Sequence, residues 1–321
     1  MVRFGIVGAS GIAQKFARDI KLVDNAEITA VSARNLEQAK IYKEMYGTKY
    51  AFSSYEEMAK SDVIDAVYIA VPHNFHCELA ILFMNNHKHV LVEKPLGINQ
   101  KEYRRMFDSS KENKVLLMEA MWTHFLPSTT YVKKIIDSKI LGKLKEAEIE
   151  FGYNLVENYP KTGRLLNKEL AGGSLLDLGI YPVSFYNFIR QAKIKEIKAN
   201  AEFTDTGVDS ETEVIINDEF GAKITLRSSL KNKLGNDALL VYEFGVIKMI
   251  DFHRSVKVFI NNKELNIPFE GEGFVSEIKS FTESIIKGEN ENQVSTFKRS
   301  LESINILDET RKLIGFKYPF E

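Results

Sequence analysis

Two short runs place reactive side chains where packing alone would not ask for them. "GGSLLDLGIYP", Gly172 to Pro182, sets Asp177 four residues before Tyr181, behind a glycine pair. That spacing stacks a carboxylate and a phenol on one face of a helical turn, where a core helix would show Leu or Ile. "VEKPLG" puts Lys94 at the tip of an apolar run, between Glu93 and Pro95. A lysine buried there is costly unless paired. The following proline favours extended geometry and permits a cis bond, so the amine is aimed rather than merely accommodated. The structural alternatives are a lysine held by Glu93 and an Asp177 that only answers a helix dipole.

A third run reads as a nucleotide cradle. "GIVGASGIAQKF" closes an apolar strand and opens a helix, the context of a dinucleotide-binding turn. Gly8 permits the tight turn, and Ala13 is the small residue that lets helix and strand pack closely. Ser10 replaces the middle glycine of G-x-G-x-x-G, with Gly11 after it. Gly8, Ser10, Gly11, Ile12 and Ala13 are therefore the expected cofactor-binding loop. The second strand ends in "AVSARN", without the acid that holds a ribose 2′-hydroxyl in NAD sites. Ser32, Arg34 and Asn35 stand there instead, and Arg34 suits a 2′-phosphate. NADP is the expected cofactor, with NAD possible.

Ligands of open parallel sheets bind outside the carboxyl ends of the strands. "VPHNFH" and "VEKP" end two such strands, so Pro72, Asn74, His76, Glu93 and Lys94 are expected to face the cofactor. His73, His76 and Cys77 have a spacing open to metal, but no second cysteine or nearby acid completes a set, so no metal is expected.

The elements that must hold these residues divide in two. Up to about residue 121, β-branched apolar runs alternate with amphipathic helical runs, the pattern of a doubly wound parallel sheet. From Trp122 on, one helical stretch near 126–139 precedes strands of alternating pattern, "KLKEAEIEFGYN" being the first. The expected fold is α/β: a Rossmann domain over 1–121, then an α+β domain over 122–321 with a large, mostly antiparallel open sheet. A formal net charge of −1 over 321 residues gives no reason to expect a nucleic-acid or membrane surface. No apolar run approaches the ~20 residues of a membrane span. The strand at the N-terminus leaves no room for a signal peptide. Cys77, the single cysteine, excludes a disulfide within the chain, and a cytoplasmic protein is expected.

"GASGIA", "VPHNFH", "VEKP" and "GGSLLDLGIYP", in this order, resemble the Gfo/Idh/MocA oxidoreductases. "LMEAMWTHFLP", "EFGYN", "LLDLGIY" and "TGVD" most resemble the dimeric dihydrodiol dehydrogenases, which also act as NADP-dependent D-xylose dehydrogenases. The resemblance runs through nearly the whole chain. It implies that Lys94, Asp177 and Tyr181 lie together over the nicotinamide as the catalytic set. Most of the family has a histidine where this chain has Tyr181; the dihydrodiol branch has tyrosine. Oxidising a hydroxyl takes hydride from carbon and a proton from oxygen, and Tyr181 could take that proton. A free phenol titrates near about 10, and lowering it by two to three units needs roughly 3–4 kcal/mol. One ammonium within about 4–6 Å supplies that scale, so Lys94 is the candidate.

The resemblance further implies that Trp122 and Phe151 line the substrate pocket and that a homodimer forms through the open face of the second sheet. His124 stands where close relatives carry arginine, so substrate preference is expected to differ if that arginine contacts substrate. The expected function is hydride transfer between nicotinamide and a sugar, polyol or cyclic diol. A non-catalytic dinucleotide- and sugar-binding regulator would lack the Lys–Asp–Tyr set. An NAD-assisted glycosidase would carry an acid at the second strand tip.

Overall fold

Strands that are apolar on both faces must be covered on both faces, and the early runs behave accordingly. The computed structural model describes residues 1–321. In it β1 (Val2–Val7), β2 (Ala26–Ser32), β3 (Tyr50–Phe52), β4 (Ala66–Ile69), β5 (His89–Glu93) and β6 (Leu117–Ala120) form one sheet of order 3-2-1-4-5-6. All its pairings are parallel. The order reverses between β1 and β4, the switch point at which such sheets take ligands. α1 (Gly11–Asp19), α2 (Leu36–Tyr46), α3 (Tyr55–Lys60), α4 (His76–Met84) and α5 (Gln100–Asn113) connect the strands. Ser10, Asn35, Ser54 and Asn99 cap four of these helices by accepting from backbone amides.

The second sheet follows α6 (Pro127–Asp137) and begins with β7 (Leu144–Gly152). Beyond it, α7 (Ile180–Ile189) precedes β8 (Ile194–Phe203), β9 (Asp209–Asp218), β10 (Lys223–Ser229), β11 (Ala238–Tyr242), β12 (Gly245–Ile250), β13 (Lys257–Ile260) and β14 (Lys263–Asn266). The order is 14-13-12-11-7-10-9-8, antiparallel throughout except where β7 pairs with β10. Period-2 alternation decides which side chains face inward. Ala147, Ile149 and Phe151 of β7 are buried, as are Val214 and Ile216 of β9 and Ile224 and Leu226 of β10. All ten residues of α7 are buried, which fits a helix apolar on every side. The other face of the sheet is mixed rather than apolar. Its central row reads Ile215, Thr225, Glu148, Leu239 and Lys248 across five strands. Arg227 pairs there with Glu213 at 2.9 Å.

The chain divides into two compact units: Met1–Trp122 with Glu270–Ser300, and Thr123–Phe269 with Leu301–Glu321. A second domain running unbroken from 122 to 321 therefore does not describe the contacts. Glu270–Ser300, with α8 (Val275–Ile286), returns to the Rossmann sheet. The Asp19 carboxylate accepts from the amides of Glu272 and Phe274 at 2.8 to 2.9 Å. The rings of Phe274 and Phe281 then meet Phe16 and Phe4. α9 (Phe297–Leu313) carries the border between Ser300 and Leu301. "NDALLVYEFGVIKMID", which sequence reading passed over, forms the β11–β12 hairpin. No helix is long and apolar enough to cross a membrane.

α8 carries an unusual core residue. Glu277 is fully buried, and neither carboxyl oxygen has a hydrogen-bond partner. Burial, reinforced by the nearby carboxyls of Glu93 and Glu119, pushes its pKa well above the usual carboxylate range. The native state thus favours the neutral acid. Below the unfolded-state pKa of about 4.3 this costs nothing. As pH rises, the unfolded chain releases the proton first and stability falls. Glu277→Gln, which is neutral at every pH, is expected to gain on the wild type in Tm between pH 5 and pH 8. A Tm difference that stays constant over that range would show an ionised Glu277.

Candidate active site

The Rossmann cradle is built by close approach of two strand ends. Gly8 has φ +110°, and a Cβ there would overlap the Ala70 carbonyl oxygen at the end of β4. Ser10 caps α1, its Oγ accepting from the Ala13 amide at 3.3 Å, which leaves its O–H able to donate outward. Ala13 is buried against the sheet. Gly11 is exposed, and a Cβ on it would meet nothing within 4 Å. Gly11 and Ile12 open the helix, so their amides have no acceptor within it. Outward amides, the positive helix end and clearance at Gly11 together fit the pyrophosphate of a dinucleotide.

At the tip of β2 the three expected residues part company. Ser32 is fully buried and its hydroxyl donates to the Ser54 carbonyl at 2.9 Å. It braces the loop after β3, which corrects its assignment to the cofactor. Asn35 caps α2 through Oδ1, which accepts from the Gln38 amide at 2.9 Å. Arg34 remains exposed beside Tyr55, with no acid at the strand tip.

The next two loops are tied together from behind. His76 is fully buried, with Nδ1 2.9 Å from the Pro95 carbonyl oxygen and Nε2 2.9 Å from that of Val71. Both ring nitrogens thus face main chain, so His76 braces the ends of β4 and β5 instead of presenting a nitrogen to the nicotinamide. Pro72 and Asn74 are half-buried in the same loop. Glu93 turns its carboxylate into the core, where the Tyr68 hydroxyl donates to Oε1. Lys94, on a cis bond to Pro95, is half-buried. His73 is buried edge-on to His76, and burial pushes the Cys77 thiol up to about 12. No group of three or more His, Cys, Asp or Glu is placed to hold a metal. Trp122 is buried and stacks on Phe274, 5.1 Å between rings.

In the other unit, Asp177 and Tyr181 lie on one continuous helix whose opening is not α. Leu175–Gly179 is a π-helical segment that runs directly into α7. Such segments often occur at functional sites. Its start is set by Asp209 of the "TGVD" run, which is buried and accepts from the Leu175 amide at 2.6 Å and the Thr212 hydroxyl at 2.9 Å. Burial raises the Asp209 pKa while these donors oppose the rise. Gly173, φ +122°, has that carboxylate where a Cβ would stand. Gly172 is needed because the carbonyls of Arg164 and Leu165 pass 2.5 and 2.6 Å from its Cβ position. The chain's own groups thus fill the space at both glycines.

Asp177 is buried and pairs with Arg164, Nη1 to Oδ1 at 2.7 Å. Tyr181 is buried with Phe151 edge-on at 5.0 Å, so two residues expected at the site do meet. His253 completes the aromatic group, 4.4 Å from Phe151 and 6.1 Å from Tyr181 between ring centres. His124 faces inward, stacked on Phe188 at 4.4 Å with Nε2 3.0 Å from Ser184 Oγ. It is a core residue of this unit. Sequence reading missed Arg164, Asp209 and His253. Only the last "D" of "TGVD" carried any signal, as part of a family resemblance.

Comparison with known proteins gives a consistent answer. The family profile "Oxidoreductase family, NAD-binding Rossmann fold" matches residues 2–121, and "GFO/IDH/MocA C-terminal domain" matches 129–246. The chain is 34% identical, over 99% of both sequences, to scyllo-inositol 2-dehydrogenase (NADP(+)) IolU of Bacillus subtilis (strain 168). It is 31% identical to trans-1,2-dihydrobenzene-1,2-diol dehydrogenase of Mus musculus, over 99% of this chain and 98% of that one. KijD10, a 3-ketoreductase from Actinomadura kijaniata solved with NADP and TDP-benzene, shares the fold at TM-score 0.88 and 22% identity over 98% of both chains.

Gly173→Ala tests how the helix is started. The left-handed backbone and the overlap with buried Asp209 are together expected to cost about 2 kcal/mol or more. Thermal unfolding should show a clear fall in Tm; an unchanged Tm would mean Asp209 can move aside freely.

Proposed function

The chain belongs to the Gfo/Idh/MocA oxidoreductases, with their NAD-binding Rossmann fold, and from that premise we propose an NADP-preferring dehydrogenase or reductase of a sugar, polyol or cyclic diol. The observation that carries the reading is the burial of both Asp177 and Tyr181 on one helix, with Phe151 edge-on to the phenol. A carboxylate and a phenol held so can orient a hydroxyl and move its proton. The names of the relatives, a scyllo-inositol dehydrogenase and dihydrodiol dehydrogenases, point to the same CH–OH chemistry.

The bound nicotinamide supplies or accepts the hydride. Ser10, Gly11 and Ile12 hold the pyrophosphate in a loop shaped by Gly8 and Ala13, and Arg34 holds the 2′-phosphate. Pro72, Asn74 and Lys94 face the nicotinamide end. Tyr181 takes the hydroxyl proton in oxidation and returns it in reduction. Lys94 lowers the phenol's pKa by its positive charge; the family pattern, not the geometry of either unit, joins it to Asp177 and Tyr181. Asp177 hydrogen-bonds the substrate. The same family pattern assigns Trp122 and Phe151 to the substrate.

NADP preference rests on the exposed Arg34 and the missing acid at the β2 tip, and IolU carries NADP(+) in its name. A homodimer through the outer face of the second sheet fits its mixed row from Ile215 to Lys248. Cytoplasmic residence fits a chain whose one cysteine is a buried free thiol.

The first experiment is fluorescence titration with NADPH and NADH, followed by an absorbance screen of inositols, aldoses and cyclic diols. Turnover on one of these classes with tighter NADPH binding is the expected result. Binding without turnover on any of them would favour a regulator. Tyr181→Phe and Lys94→Ala are each expected to lower kcat at least about a hundredfold. Near-normal turnover with NADP still bound would remove that residue from the mechanism. Arg34→Ala is expected to weaken NADPH binding about tenfold or more and NADH binding little, as loss of a charge-assisted contact implies. Equal losses would refute the 2′-phosphate assignment.

A further inference from the structure

Arg164 lies in the loop between β7 and the π-helical segment, and no motif marks it. Its guanidinium reaches Asp177 Oδ1 at 2.7 Å, with the arginine side chain 43% exposed and the carboxylate side chain 7%. A buried carboxylate needs a donor, and Arg164 supplies one from a side chain that itself stays half in solvent. The loop is constructed to make this contact. The Gly173 amide donates to the Leu165 carbonyl at 2.9 Å and the Gly172 amide to the Asn167 carbonyl at 3.0 Å. The Tyr318 hydroxyl closes over the same place, donating to the Gly172 carbonyl at 2.8 Å. A side chain on Gly172 would push the carbonyls of Arg164 and Leu165 away.

Resting on the reading of Tyr181 as the proton-transfer group, we propose that Arg164 is a positioning residue. It holds Asp177 by one oxygen and cancels that carboxylate's charge beside Tyr181, so that the phenol ionises more readily. Residues four apart on a helix have Cβ atoms about 5–6 Å apart. An uncancelled carboxylate at that range would raise a phenol's pKa by on the order of two units at an effective dielectric constant of about 20. Three other ionisable groups of the unit that meet this helix do not supply that charge. Asp209 is itself acidic and engaged at the helix start. Tyr318 is held protonated by burial. His253 meets Tyr181 ring to ring at 6.1 Å and carries no fixed charge. Arg164 does carry one at every working pH.

The test reads the phenol directly. Ultraviolet titration of tyrosinate, wild type minus Tyr181→Phe, yields the Tyr181 midpoint without any turnover. The same difference in an Arg164→Gln background is expected to move up by about one pH unit. The basic limb of kcat against pH should move with it, and kcat at neutral pH should fall about tenfold. Arg164→Lys keeps the charge and is expected to restore most of the midpoint; it also serves if the glutamine variant folds poorly. An unmoved midpoint in Arg164→Gln overturns the proposal even if activity falls, since a loop contact that is only structural would do that much. If Tyr181→Phe turns over normally, the assignment of Tyr181 fails instead, and the midpoint shift still decides what Arg164 does.

Discussion

A carboxylate buried beneath a glycine decides where the helix of the C-terminal unit begins. Asp209 occupies the space a side chain at residue 173 would need, and it receives the first free amide of the segment. Burying an acid is expensive unless donors surround it, and here they do. With the start pinned, the π turn sets the rotation at which Asp177 and Tyr181 emerge. α7 is buried on every side, so it cannot rotate to relieve an error made at its first turn. Phe151 of β7 then packs against Tyr181 from the sheet. Loop, helix and sheet thus depend on one polar contact that a single extra methyl group would disturb.

The Rossmann unit solves a different problem, how to keep strand ends close while leaving helix amides outward. Gly8 and Ala70 touch where β1 and β4 diverge. His76 spans the next gap through two carbonyls, and Ser32 braces a third. These buried polar groups hold loops, while Ser10 and Arg34 stay exposed. Beneath the loops, Tyr68 stacks on Phe16 at 3.8 Å while its hydroxyl holds Glu93. The same ring system carries α8 back onto the sheet and with it the neutral acid of Glu277. An acid kept uncharged in the core costs stability at neutral pH. Its closeness to Glu93, which precedes Lys94, gives that cost a place in the chain where function is expected.

Much of the fold is legible in the sequence. The doubly wound parallel sheet followed from alternating two-sided apolar runs and helices, because buried parallel strands leave that pattern whatever their neighbours are. Lys94, Asp177 and Tyr181 stood out because each put a polar group where packing alone would not ask for one. The β11–β12 hairpin escaped notice because its turn, Glu243-Phe244, carries no turn-forming pair. The return of Glu270–Ser300 was invisible for a similar reason: amphipathic helices do not state which sheet they cover.

By itself, then, the sequence determined the two sheet types, the glycine-rich cradle, the absence of an acid at the β2 tip, and the reactive residue types. These are properties of local pattern and side-chain chemistry. Tertiary structure alone decided that Ser32 and His76 face main chain, that His124 belongs to a core, and that Gly172 and Gly173 admit Arg164's loop and Asp209's carboxylate. Each of those contacts joins residues with no sequence relation to one another. A hydroxyl or an imidazole reads the same in one dimension whether it ends up facing a ligand or a carbonyl, and only the folded backbone brings the carbonyl to it.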